Sequence, residues 1–89
     1  MNVREVTEAE LNRTRERVEA IGHFEYTASF HKNGASTLRV SEAEAKTALL
    51  KQAEGIGALF LVFEPHVELP GKSGEERMLI LSARAYRYA

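Results

Sequence analysis

The residues of this chain whose types could do chemistry are its three histidines and the carboxylates around one of them. His23 and His31 are not paired at the spacing that places two metal ligands on one helix face, and no cysteine accompanies them. His66 is flanked by Glu64 and Glu68, so these three side chains could form a weak metal site in a loop. Solvated loop side chains are the simpler interpretation, and we predict neither a metal nor a cofactor.

The tripeptide Gly71-Lys72-Ser73 has the form that ends a phosphate-binding P-loop. The full motif needs a glycine where His66 stands and a helix after the serine, whereas the pattern here predicts a strand. No serine lies in a nucleophile-elbow context, and no histidine–carboxylate pair can be assigned from spacing alone. We therefore predict no catalytic residue and no enzyme activity. A site formed only across a dimer stays open as an alternative.

Cations and aromatic rings alternate near the C-terminus, where Arg84, Tyr86, Arg87 and Tyr88 combine positive charge with surfaces on which bases stack. The chain has 12 basic and 13 acidic residues and a net charge of −1, which provides no general attraction to phosphates. Nucleic-acid binding by this segment is therefore the second hypothesis for the function.

Composition bounds the class of protein. The 89 residues fit a single domain, residues 1–89, and a hydrophobic fraction of 44% is ordinary for a globular chain. The absence of cysteine excludes a disulfide framework and favours the cytoplasm. The first residues are too polar for a signal peptide, and the longest apolar run, Ile56 to Phe63, is far shorter than the roughly 20 residues that span a bilayer. We expect a cytoplasmic protein without a membrane partner.

The elements that position these residues begin with a helix. Thr7-Glu8-Ala9-Glu10 has the form of a capping box, with Thr7 as the N-cap. A thin apolar stripe follows at helical spacing, and Gly22 is placed to end the helix after Ile21. The pattern predicts a surface helix from Thr7 to about Ile21.

From Phe24 to His31 the apolar period is two, which predicts a strand. A three-residue turn, Lys32-Asn33-Gly34, would join it to a second strand, Ala35 to Val40, in a hairpin with a G1 bulge. This turn length is preferred because a two-residue loop would place Leu38 and Val40 on the polar face.

A second capping box, Ser41-Glu42-Ala43-Glu44, predicts a helix that Gly55 ends. Ala58 to Glu64 then reads as a strand, Pro65 to Glu76 as a polar loop, and Arg77 to Tyr88 as a long final strand. The predicted fold is a single small α+β domain in the order α-β-β-α-β-β. Its four-stranded, mainly antiparallel sheet would have the helices packed mostly on one face.

The last two predicted strands are apolar on both faces. Two helices, each about 10 Å across, cover only one face of a sheet about 19 Å wide. We predict that the uncovered residues form an interaction surface: Phe60, Val62, Met78, Ile80, Arg84 and Tyr86. The alternative is that the first helix crosses to this face and covers them itself.

The segments Phe24 to Val40, Ser41 to Lys46 and Gly57 to Val62 together resemble the hairpin–helix–hairpin layout of several small phage and prophage proteins, including some anti-CRISPR inhibitors. The resemblance covers about two-thirds of the chain in topology and depends on no specific motif. It implies a non-enzymatic protein that blocks or modulates a larger host assembly as a dimer. We accordingly expect a small non-enzymatic protein-interaction module, a phage-type inhibitor or modulator that acts by binding and occlusion as a homodimer.

Overall fold

The computed structural model describes residues 3–31, 35–71 and 74–89, and the fold is α+β. Within these ranges the chain forms two helices and one mixed sheet of five strands. In chain order the elements are β1 (Arg4–Glu5), α1 (Glu8–Asn12), β2 (Val18–His31), α2 (Ala35–Gly55), β3 (Phe60–Phe63), β4 (Val67–Pro70) and β5 (Glu76–Tyr88). The predicted class is confirmed, whereas the order α-β-β-α-β-β and the four-stranded sheet are wrong.

β5 is the central strand and has partners along both of its sides. β2 is antiparallel to it along nearly the whole length of both strands, from Val18 opposite Tyr88 to His31 opposite Glu76. β3 and β4 follow one another along its other side, also antiparallel, and β1 lies parallel to β3. The spatial order is therefore β1-β3-β5-β2, with β4 next to β5.

α1 begins as the sequence predicts and ends much earlier. Thr7 Oγ1 accepts a hydrogen bond from the Glu10 amide at 3.1 Å, and Glu10 Oε1 accepts one from the Thr7 amide at 3.2 Å, which completes the capping box. The helix ends at Asn12 rather than near Ile21, because the residues from Val18 onward form β2. A surface helix with a thin apolar stripe is marginally stable by itself. Pairing with β5 instead gives the residues from Val18 onward a full ladder of backbone hydrogen bonds.

The predicted hairpin is wrong, because the segment from Ala35 to Val40 is the first part of α2. The predicted turn, Lys32-Asn33-Gly34, lies outside the described residues. Leu38 and Val40 alternate over too few residues to distinguish a strand from a helix. Leu38 instead continues the helical stripe that leads to Ser41 and on into the core.

Ser41 lies within α2 and does not cap it. It is buried, and its hydroxyl donates a hydrogen bond to the carbonyl oxygen of Ser29 at 3.4 Å. Ala45, Leu49 and Ala53 continue the stripe at helical spacing and are fully buried. Gly55 ends the helix, as the sequence predicts.

The core lies between α2 and one side of the sheet, which we call the inner face. Four alternate residues in the middle of β5 point to this face and are buried, as the sequence predicts: Leu79, Leu81, Ala83 and Ala85. Leu61 of β3 packs with the last three of them in one buried cluster, together with Leu49 and the small side chains of α2. The opposite side of the sheet, the outer face, carries the residues between them on β5.

The two helices do not share one face. β1 and β2 lie at opposite edges of the sheet, so the segment between them, which contains α1, crosses it. Val6 and Thr7 line a cleft together with Val62 and Tyr86 of the outer face, which places this crossing on the outer side. The prediction that the helices pack mostly on one face is therefore wrong. The alternative, in which the first helix covers part of the outer face, holds for the end near Tyr86.

The sequence pattern does not reveal two of the strands. β1 is two residues long and pairs with β3 over Arg4 and Glu5, which is too short for an alternation to be visible. β4 falls inside the predicted loop, because Pro65 and Pro70 mark that segment as irregular. A proline is compatible with an edge strand when its nitrogen faces away from the neighbouring strand.

Candidate interaction surface on the outer face

The outer face carries an apolar group formed by two neighbouring strands. Ile80 of β5 lies opposite Val67 of β4, and Met78 lies opposite Leu69. Because residues directly opposite each other in antiparallel strands point to the same face, these four side chains are adjacent. We call them the distal patch. Val67 is 52% exposed and Leu69 is 39% exposed, whereas Met78 and Ile80 are half-buried.

Half of the distal patch was missed by sequence reasoning. Met78 and Ile80 belong to the predicted interaction surface, but Val67 and Leu69 lie in the segment predicted as a loop. The available signal was the alternation of these two apolar residues with Glu68. It covers only three residues between two prolines, so it does not distinguish a strand from a loop.

The predicted residues Phe60, Val62 and Tyr86 lie at the other end of the outer face and are half-buried. Phe60 lies opposite Tyr86, and its ring contacts the Tyr88 ring edge-on, with 5.4 Å between the ring centres. The chain from Val6 to the start of α1 borders this end of the sheet. The six predicted interface residues therefore share one face, but the five without charge belong to two separate regions.

A charged group separates these two regions. Glu64 Oε1 is 2.8 Å from His23 Nε2 and 3.8 Å from Arg84 Nε. His23 and Arg84 lie opposite each other on β2 and β5, and Glu64 follows β3, so three strands bring these side chains together. The histidine–carboxylate contact could not be predicted, because 41 residues separate its partners along the chain. The contact is exposed to solvent, so it orients the two side chains and adds little stability.

A cleft of about 360 Å³ lies between the start of α1 and the outer face. Its polar groups include Thr7, Glu8, Glu64 and Arg84. The Thr7 hydroxyl accepts the capping hydrogen bond, and Glu64 contacts both His23 and Arg84. Thr7, Glu64 and Arg84 are therefore engaged in structural contacts within the chain.

The four residues of the nucleic-acid hypothesis do not form one surface. Arg84, Tyr86 and Tyr88 alternate along β5 and share the outer face, whereas Arg87 points to the opposite side. The Arg87 Nε atom lies 2.8 Å from Glu19 Oε1 on β2, and Arg84 contacts Glu64. Each arginine is therefore accompanied by a carboxylate.

The remaining candidates for chemistry lie apart. His31 is opposite Glu76 at the far end of β2, and His66 is exposed between β3 and β4. Within residues 3–31, 35–71 and 74–89, no three histidine or acidic side chains converge as metal ligands would.

Lys72 and Ser73 lie outside the described residues, but Gly71 has a clear structural role. Its amide donates a hydrogen bond to the Glu76 carbonyl oxygen at 2.8 Å, and a Cβ atom on Gly71 would lie 2.6 Å from that oxygen.

A contact between β2 and α2 perturbs one ionisable group. The Tyr26 hydroxyl donates a hydrogen bond to Glu44 Oε1 at 3.2 Å. This hydrogen bond, together with the negative charge of the carboxylate, raises the pKa of the Tyr26 phenol above its ordinary value of 10.0. The pair lies on the side of the sheet that α2 covers, away from the distal patch.

Comparison with known proteins gives no match: no family model, no curated protein and no solved structure is significantly similar to this chain. Of the helices in the described part of the chain, none is both long and apolar enough to cross a membrane.

Proposed function

We propose that this chain is a non-enzymatic protein-binding module that docks onto a partner protein through the outer face of its sheet. The observation that carries the proposal is the distal patch, where Val67, Leu69, Met78 and Ile80 form one apolar surface. α2 packs on the inner face and so does not cover this patch. α1 begins near Tyr86, which is about 20 Å from Ile80 along β5. Contiguous apolar side chains left at the surface are typical of interaction sites.

The surroundings of the distal patch suit a protein partner. Thr27 and Ser29 of β2 lie opposite Ile80 and Met78 and are exposed, so the apolar centre has a polar border. The charged group around Glu64 follows along the face. An apolar centre with a polar and charged rim is the usual anatomy of a protein–protein interface.

The backbone of β4 favours docking of the face over addition of a strand at this edge. The Gly71 amide is bonded to Glu76, so the alternate residues Leu69 and Val67 also direct their backbone groups towards β5. The backbone groups of Glu68 and Pro70 therefore point to the free edge of β4. Because Pro70 has no N–H and Glu68 carries a charge, this edge offers little to an incoming strand.

Binding of this kind covers a surface of the partner, so we propose that the protein inhibits or modulates a larger assembly by occlusion. A phage-type inhibitor would be one example of this action. The resemblance in layout to such proteins adds no support, because residues 35–40, which would form the second strand of the first hairpin, are helical here.

Paired variants test the proposal. Val67→Glu places a charge in the distal patch, and Val40→Glu makes the same change at a valine of α2 that is 65% exposed. Each variant and the wild type would be immobilised on a resin and incubated with lysate of the source cells. The captured proteins would then be quantified by mass spectrometry. We expect at least one protein to bind wild type and Val40→Glu alike, and to be captured about tenfold less by Val67→Glu and Ile80→Glu.

Two results would contradict the proposal. One is equal capture by all variants while circular dichroism shows that each is folded. The other is recovery of nucleic acid in place of protein, with affinity that falls steeply as salt is raised. The second result would favour the alternative function, in which Arg84, Tyr86 and Tyr88 contact nucleic acid.

A further inference from the structure

In the part of the chain that the structure describes, one edge of the sheet is long and has no neighbouring strand. β2 has 14 residues, and among the described strands it pairs with β5 alone. The Ser29 carbonyl accepts its hydrogen bond from the Ser41 hydroxyl of α2, which indicates that the backbone of Ser29 faces away from β5. Since alternate residues direct their backbone groups to the same side, those of His23, Glu25 and Thr27 also face outward.

The free edges of β1 and β4 are protected against pairing with a further strand, whereas the free edge of β2 is not. β1 is only two residues long, and β4 presents Pro70 and Glu68 at its free side. β2 contains no proline, and Ser41 satisfies one carbonyl near its end. A long edge with free donors and acceptors is a template for pairing with another strand.

We propose that the free edge of β2 pairs antiparallel with β2 of a second copy of this chain, with the twofold axis at Phe24. In this register His23 of each copy lies opposite Glu25 of the other. Moving the axis by one residue in either direction places His23 against His23 or Glu25 against Glu25. Two carboxylates directly opposite each other are unfavourable, whereas a histidine opposite a carboxylate can form a hydrogen bond with it. This pairing favours the axis at Phe24 over its two neighbours.

On the outer face of the proposed dimer, His23 of one copy has a ring nitrogen that can contact Glu25 of the other. His23 uses Nε2 to contact Glu64 of its own chain at 2.8 Å. Its other ring nitrogen, Nδ1, is then available to Glu25 of the second copy. Each histidine would join two carboxylates, one from each chain, and the symmetry produces this arrangement twice.

The inner side of the proposed pairing is apolar. Phe24 is half-buried and Ile56 is 43% exposed. Both lie over Gly22, because a Cβ atom there would be 3.0 Å from Ile56 Cδ1 and 3.1 Å from Phe24 Cζ. At the axis the two Phe24 rings face each other, with Ile56 of each copy beside them, so pairing would bury side chains that one copy leaves partly exposed.

This dimer does not depend on the proposed function. It uses the edge of β2, whereas the distal patch lies on the outer face of β4 and β5. The distal patches would remain free in the dimer, so loss of dimerisation and loss of partner capture are separate results.

Mass measurement by light scattering or sedimentation tests the pairing. Glu25→Pro removes an outward N–H without breaking the ladder to β5, and Glu68→Pro makes the same substitution at the outward position of β4. We expect the wild type and Glu68→Pro to be dimers. Glu25→Pro should weaken dimerisation roughly a hundredfold, since each copy loses a backbone hydrogen bond and the bulky ring separates the strands.

Oxidative cross-linking tests the register. The chain has no cysteine, so a single introduced thiol can react only with its equivalent in a second copy. Phe24→Cys places two thiols on the axis, where the Cα atoms of a non-hydrogen-bonded pair are about 4.5 Å apart and a disulfide can form. Tyr26→Cys places them beyond disulfide range. We expect a rapid covalent dimer from the first variant and not from the second.

Three outcomes would overturn the inference. They are a monomeric wild type, a dimer that Glu25→Pro leaves intact, and cross-linking of Phe24→Cys that is no faster than that of Tyr26→Cys.

Discussion

The Tyr26 hydroxyl and the Glu44 carboxylate connect the middle of β2 to α2, and they show how this chain uses its exposed charges. Glu44 accepts a hydrogen bond from a side chain of the sheet, as Glu64 does on the outer face. Such contacts at the surface add little stability, because solvent screens them. Their effect is local: they fix side-chain positions, and the Glu44 contact also raises the pKa of the Tyr26 phenol.

A pH titration tests the Tyr26 contact. The pKa of the phenol is raised in the folded protein, so the hydrogen bond contributes fully below the unfolded value of 10.0 and is lost as pH rises through the folded value. We expect Glu44→Gln to lower the pKa of Tyr26, measured by ultraviolet absorbance of the phenolate. Tyr26→Phe identifies which part of the titration belongs to this residue. An unchanged titration in Glu44→Gln would contradict the contact.

At the scale of elements, pairing with β5 decides where the neighbouring elements begin and end. It takes the residues from Val18 to Ile21 out of the predicted first helix and adds them to β2. It also brings Val67–Pro70 out of the predicted loop into β4. A central strand of 13 residues offers backbone partners along both sides, and local propensities of a few tenths of a kcal/mol do not outweigh that ladder.

The connection between β4 and β5 supplies an element-scale prediction. A Cβ atom on Gly71 would lie 2.6 Å from the Glu76 carbonyl oxygen, whereas one on Gly74 would have no neighbour within 4 Å. We expect Gly71→Ala to lower the free energy of unfolding by about 1–3 kcal/mol, because the backbone of the hairpin has to shift. Gly74→Ala is the matched control, and its change should be within about 0.5 kcal/mol. Equal effects in chemical denaturation would refute this account of the hairpin.

At the scale of the whole molecule, the shape is elongated and the core is small. The radius of gyration is 14.7 Å, compared with about 12 Å for a compact domain of 89 residues. Many residues of the buried cluster are alanines, so its large side chains are few: Leu49, Leu61 and Leu81. The thin core lies between α2 and the inner face, so the distal patch on the outer face lies outside it.

The small core makes stability sensitive to single large side chains. Leu49 is fully buried, and Leu49→Ala should cost about 2–5 kcal/mol. This is a large part of the roughly 4–13 kcal/mol expected for a chain of 89 residues. Leu59→Ala is the control, since Leu59 is 37% exposed and should cost about 1 kcal/mol or less. Thermal unfolding at fixed protein concentration measures both, and similar losses would show that α2 does not form the core described.

The two proposed surfaces act together at this scale. A dimer through β2 would join two outer faces into one continuous sheet surface and present two distal patches. If the partner has two binding sites within reach, the second contact becomes intramolecular and the dimer binds more tightly than one copy would. This gain would disappear in Glu25→Pro, while binding by a single distal patch would remain.

The sequence by itself determines the features that depend on neighbouring residues. The Thr7 capping box, the end of α2 at Gly55 and the buried face of β5 are all visible as local patterns, and the structure confirms them. The α+β class follows from the same patterns. So does the outward position of Met78 and Ile80, because side chains alternate along any strand.

Only the tertiary structure decides which partner each segment finds. The strand at Val18, the helix at Ala35 and the strand at Val67 each depend on contacts with residues far away in the chain. The same is true of the distal patch, since Val67 and Leu69 become a surface only when β4 pairs with β5. Short segments that satisfy two local patterns are resolved by the larger set of hydrogen bonds and buried contacts, and those are supplied by the rest of the fold.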